Sequence, residues 1–170
     1  MKELLFFLFL ISAGLTYAQT KGKMTFDEKG KRNMYLGYGD KSVFKDTSFS
    51  TWYGAEYDMY DVDKGELAAI TPDDLKDIKI TIVLGTWCSD SRREVPRFLK
   101  ILEYLKFDEK NLNLIFVDRD KKNPFGDIEA LKAKYIPAII IFKGDKELGR
   151  IVEAPKDTLE KDFIAILKKN

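Results

Sequence analysis

From Ile78 onward, short β-branched runs alternate with amphipathic helical patterns, and this alternation restricts the fold more than any other feature of the chain. Ile80-Thr81-Ile82-Val83-Leu84 stops at Gly85, as a buried strand should. After Cys88 the spacing predicts a helix with Val95, Phe98, Leu99, Leu102 and Leu105 on one side. Leu112-Asn113-Leu114-Ile115-Phe116-Val117 reads as a second strand, stopped by the polar stretch Asp118 to Asn123. A short helix is expected around Ile128 to Lys134. Ala138-Ile139-Ile140-Ile141-Phe142 and Leu148-Gly149-Arg150-Ile151-Val152 flank the turn Lys143-Gly144-Asp145-Lys146 as a hairpin, and Thr158 to Leu167 reads as a closing amphipathic helix. The order β-α-β-α-β-β-α implies an α/β fold. Its central mixed sheet is flanked by helices, with parallel pairing first and an antiparallel hairpin at the edge.

Before Ile78 the composition changes. Residues 19–77 are rich in Gly, Asp, Lys and Tyr and read as an N-terminal extension to the domain at 78–170. Met24-Thr25-Phe26 and Met34-Tyr35-Leu36, around Glu28-Lys29-Gly30-Lys31, predict a small hairpin. Phe49, Trp52, Tyr53, Tyr57 and Tyr60 fall at helical spacing, a stripe that reads as core. Thr71 before Pro72 marks a helix start. At the very beginning, Lys2 precedes the apolar run Leu4 to Ile11, and small residues lead to Ala18. This predicts a secretory signal over residues 1–18, cut before Gln19. A membrane anchor needs roughly 20 apolar residues, and Ser12, Gly14 and Thr16 interrupt the run early. No cysteine follows it, which argues against a bacterial lipoprotein anchor. The expectation is an exported protein, periplasmic in a host with two membranes, with no stable membrane span after cleavage.

Composition then narrows the chemistry. The chain has 170 residues, enough for one ordinary core, and a formal net charge of +1 speaks against a broad nucleic-acid surface. It contains no histidine, which removes Ser-His and Cys-His pairs and histidine-ligated zinc. With Cys88 as its single cysteine it has no intramolecular disulfide and no thiolate cluster for a metal. Asp61-Val62-Asp63-Lys64-Gly65-Glu66 starts like a calcium loop, but its glycine comes one position early, and Asp118-Arg119-Asp120 has no glycine at the sixth position. No phosphate-binding glycine loop occurs, so neither metal nor cofactor is expected.

Cys88 stands at a strand-to-helix junction, Gly85-Thr86-Trp87-Cys88-Ser89-Asp90-Ser91. The open N–H groups of a first helical turn and the helix dipole favour thiolate over thiol there. Arg92 and Arg93, one turn on, add positive charge and are the expected thiolate-stabilising residues. A reactive thiol is therefore a better reading than a small buried hydrophobe.

Gly85-Thr86-Trp87-Cys88-x-x-Ser91-x-x-Glu94-x-Pro96 resembles the G-T-W-C-x-x-C-x-x-E-x-P of the exported TlpA/ResA-like branch of the thioredoxin superfamily. Tyr135-Ile136-Pro137-Ala138 is similar to the segment that carries the family's cis-proline, and Pro96 matches the proline that bends its first long helix. The similarity covers about Ile78 to Asn170. It implies a thioredoxin-like fold, with Cys88 as the attacking thiol and Trp87 shaping the groove beside it. It also implies a cis Ile136-Pro137 bond, with Ile136, Pro137 and Ala138 holding an extended substrate. Glu94 matches a glutamate that tunes the thiols in the active-site cavity.

Three positions depart from the family pattern. Ser91 replaces the resolving cysteine, so the chain cannot run a dithiol-disulfide cycle alone. Ile82 stands where a buried acid or amide often relays protons, and Glu153 where a glycine often lies near the groove. The resemblance thus implies a monothiol protein acting on protein or small-molecule thiols and disulfides. Cys88 forms a mixed disulfide that an external thiol resolves, which suits isomerisation, deglutathionylation or capture. The alternative is a non-catalytic module that holds a protein partner in the same groove.

Overall fold

The protein is described by a computed structural model over residues 22–169, so the expected signal segment lies outside the described residues. The first strand, β1 (Lys23–Asp27), turns through Glu28–Lys31 into β2 (Arg32–Gly39), with Met24 opposite Tyr35. This is the hairpin expected from the sequence, but β2 also pairs antiparallel with a later strand, Gly37 opposite Phe116. Helix α1 (Thr47–Met59) is capped by Asp46, whose side chain accepts from Ser48 N–H. A short α2 (Lys64–Leu67) follows, and Thr71 caps a single 3-10 turn over Pro72–Leu75 with Asp74 closing a capping box.

Four strands and two helices complete the fold: β3 (Ile78–Leu84), α3 (Ser89–Tyr104), β4 (Leu112–Phe116), β5 (Ala138–Lys143), β6 (Lys146–Val152) and α4 (Leu159–Leu167). They form an α/β structure around one mixed six-stranded sheet in the order β1-β2-β4-β3-β5-β6. β3 pairs parallel with β4 and antiparallel with β5, and β5-β6 is the expected edge hairpin. No described helix is long and apolar enough to cross a membrane.

The two-residue period of β3 separates two clusters. Ile80, Ile82 and Leu84 face the larger one, with Val95, Phe98, Leu99 and Leu102 of α3 and Phe163 and Ile166 of α4. Phe44, Phe49, Leu67 and Ile70 bring the first third of the chain into the same core. Val83 faces the smaller cluster, with Ile115, Val117, Ile136, Ala138 and Ile140, and Trp87 and Cys88 pack against it. The connection from β4 to β5 covers this second face. The helix expected over Ile128 to Lys134 is not formed: only a 3-10 turn at Glu129–Leu131 is present. Lys132 ends it in the left-handed region at φ 49°, a conformation that cannot continue a right-handed helix. Ile128, Leu131 and Ala133 reach the small cluster from this irregular path.

Candidate active site

β3 delivers the chain to the site at Leu84, and Gly85-Thr86-Trp87 turns it into α3. The turn closes with Cys88 N–H donating to Gly85 O at 2.9 Å. Gly85 is required because Trp87 folds back over it: an added Cβ would lie 2.7 Å from Trp87 Nε1 and 3.0 Å from Ile136 Cδ1. Cys88 is the N-cap of α3, with extended φ and ψ of −84° and 128°, and its carbonyl accepts the first helical bond from Arg92 N–H at 3.0 Å. Its side chain makes no capping bond. The sulfur therefore sits at the N-terminal end of a sixteen-residue helix.

Across from it, Cys88 Sγ lies 3.5 Å from Ile136 O and donates to that carbonyl. Ile136-Pro137 is a cis peptide, in agreement with the expectation. Pro137 O accepts from Glu153 N–H at 2.8 Å, which ties the site to the end of β6. Glu153 adopts φ 62°, the left-handed region that favours glycine. The half-buried Cys88 and buried Ile136 and Pro137 thus form one wall-and-thiol unit at the ends of β3 and β5.

The other residues nominated from the sequence have different surroundings. Trp87 is held in place, its Nε1 donating to Val117 O at 2.9 Å and its ring covered by the Arg119 guanidinium at 4.9 Å. Ser91 is buried one turn below Cys88, and its hydroxyl accepts from Gly85 N–H at 3.2 Å. It braces the turn rather than bonding the sulfur. Glu94 is 5% exposed and accepts from Arg93 Nε at 2.6 Å, so it faces the interior. Arg93 also pairs with Asp90 at 3.0 Å. These two carboxylates, and not Cys88, take up its charge and hold the guanidinium above its usual value. Arg92 turns to α1 and lies 5.2 Å over the Trp52 ring. Neither arginine hydrogen-bonds the sulfur. Ile82 is fully buried among aliphatic neighbours and offers no proton relay.

Two further residues escape sequence reasoning. Asp27, only 3% exposed at the end of β1, accepts from Arg119 Nε at 2.9 Å and Nη2 at 2.6 Å. The Arg119 hydrogen bond, opposed by burial, lowers the Asp27 carboxyl to about 2. Through Arg119 the N-terminal hairpin clamps the face of Trp87. The polar triplet around Arg119 was the only signal in the sequence. Among the described residues no group of three or more potential metal ligands comes together.

No family model, no curated protein and no solved structure matches this chain.

Proposed function

We propose that the protein is a thioredoxin-like monothiol protein of the extracytoplasmic space, active in thiol-disulfide exchange through Cys88. The observation that carries this reading is the placement of a half-buried cysteine sulfur at the N-terminus of α3, 3.5 Å from the carbonyl that precedes a cis-proline. Cys88 thiolate attacks one sulfur of a disulfide. A new S–S bond forms between Cys88 and that sulfur, the old one breaks, and the second sulfur leaves as thiolate. A thiolate from solution then attacks the mixed disulfide, and Cys88 departs as thiolate. Ser91 cannot perform this second step, because its hydroxyl is bound to Gly85 N–H and is a poor nucleophile toward sulfur.

Mixed disulfides should therefore accumulate on the wild-type protein under oxidising conditions. Acid-quenched samples should carry adducts that a reductant removes and Cys88→Ser abolishes. Ser91→Cys should deplete them and introduce reduction of a model disulfide.

A second reading is a groove that holds a partner without exchange. The absence of a cationic side chain on Cys88 Sγ among the described residues favours it. It would be established by a thiol that forms no adduct together with an inert Ser91→Cys.

A further inference from the structure

Six arginines occur in the chain, and four are matched to carboxylates: Arg93 to Asp90 and Glu94, Arg97 to Glu56, Arg119 to Asp27 and Arg150 to Glu147. The remaining two, Arg32 and Arg92, have no carboxylate partner among the described residues. They are also the two that the fold brings together. Arg32 starts β2, Arg92 lies in the first turn of α3, and both line one hollow of about 370 Å³ with Asn33, Ser48, Trp52 and Thr86. Burial first, and the Arg32 charge second, disfavour the charged form of Arg92. Placing like charges around a cavity costs free energy that an anion between them recovers.

The neutral groups complete an anion site. Thr86 is 2% exposed, and its hydroxyl oxygen accepts from Tyr35 N–H at 3.2 Å. Ser48 Oγ accepts from Asn33 Nδ2 at 3.1 Å. Each hydroxyl has accepted one bond and keeps its hydrogen to donate. Trp52 supplies an apolar wall, with the Arg92 guanidinium carbon 5.2 Å from its ring centroid. Thr86 belongs to the turn that carries Cys88 and Arg92 to the first turn of α3, so the segment bearing the thiol lines the hollow at both of its ends. A second hollow lined by Trp52, Ser89, Arg92 and Arg93 continues along α3.

We propose that Arg32 and Arg92 bind the carboxylate of a small disulfide or thiol, and that carboxylate-bearing low-molecular-weight disulfides are the substrates exchanged at Cys88. The choice of substrate rests on the exchange reading above; the carboxylate site does not. A hollow of this size takes an amino-acid-sized group rather than a folded partner. Paired guanidiniums match carboxylate oxygens in a way that a neutral disulfide cannot exploit.

The test has two arms. The binding arm uses Cys88→Ser, which forms no disulfide, and titrates oxidised glutathione while following the Trp52 indole resonance. A saturable shift that Arg32→Gln or Arg92→Gln abolishes is expected. No saturable shift, or one that survives both substitutions, overturns the carboxylate site whatever Cys88 does. The exchange arm measures adduct formation on Cys88 with oxidised glutathione and with the uncharged hydroxyethyl disulfide at low salt. After correction for intrinsic disulfide reactivity against a free model thiol, the charged probe should be favoured by about tenfold, a preference that shrinks with added salt. Arg32→Gln and Arg92→Gln should bring the corrected ratio toward one. Both probes meet the same thiol, so any change in thiol reactivity cancels in the ratio. Equal rates in the wild type, or a ratio that the substitutions leave unchanged, overturn the substrate class. Binding without exchange of either probe overturns the thiol reading and the substrate class, and leaves a carboxylate-binding protein.

Discussion

Residues 78–167 and residues 23–75 reach the same sheet by different chemistry. The later region surrounds β3 with aliphatic side chains on both faces, and Ile80, Ile82, Val83 and Leu84 are wholly buried. The earlier region adds Phe44, Phe49 and Leu67 to that core, yet several of its links to the later region are polar. Asp27 pairs with Arg119 and Glu56 with Arg97. Tyr60 donates to both oxygens of the buried Glu160, which also accepts from Asp63 N–H. Burial is non-directional and holds bulk, whereas hydrogen bonds to charged groups fix position. The later region therefore supplies most of the cohesion, and the earlier one sets where Trp87 and Arg92 lie beside the thiol.

The strongest way to break this contrast is Phe98→Ala. Phe98 is fully buried and meets the Phe163 ring edge-on at 5.3 Å, so truncation should cost about 3–5 kcal/mol. Urea unfolding should show the loss as one cooperative transition. A loss confined to residues 23–75 would reverse the assignment of cohesion.

Asp27→Asn should act locally and cost about 1–3 kcal/mol, because it leaves Arg119 without its carboxylate. Hydrogen exchange should rise in β1 and β2 before α3. The wild-type pair should also respond to acid. Its folded carboxyl is held at about 2, below the ordinary 3.8, so its contribution is complete above about pH 5 and disappears as pH falls through 2. A flat difference between wild type and Asp27→Asn across that window would show that the pair contributes no stability.

The smallest effect sharpens the comparison at the site itself. Glu153 holds φ 62° while its N–H bonds Pro137 O, so Glu153→Gly should stabilise by about 0.5–1 kcal/mol through relief of a left-handed backbone. A lower melting temperature would mean that the Glu153 side chain contributes more than its backbone costs.

Much of the later region was legible because its signals are local. β-branched runs marked β3 and β5, Gly144 at φ 60° sits in the turn between β5 and β6, and Thr158 caps α4 by accepting from Lys161 N–H. Cys88 could be placed at a helix N-terminus for the same reason. The 128–134 segment misled because Ile128 and Leu131 keep helical spacing while packing on the small cluster from a 3-10 turn. Residues 19–77 read as an extension because their pairing with β4 carries no local mark. Asp27 and Arg119 were illegible for that reason too, lying far apart in sequence with ordinary neighbours. Spacing places Arg92 and Arg93 one turn on from Cys88, but it does not show that Asp90, Glu94 and Trp52 decide where their guanidiniums point.

The strand order carries a consequence for how the chain assembles. β2 is synthesised early, but its place in the sheet is the free edge of β4, where Gly37 meets Phe116 and Gly39 meets Leu114. On its other side β4 is held by β3. Closing the long intervening loop costs entropy, which the β2-β4 pairing and the core contacts of Phe44, Phe49 and Leu67 offset. The β1-β2 hairpin thus depends on a partner strand much later in the chain, and Met24 and Phe26 remain exposed on it. The clamp on Trp87 therefore hangs on a long-range pairing, because the strand that carries Asp27 is held to the sheet through β2 on β4.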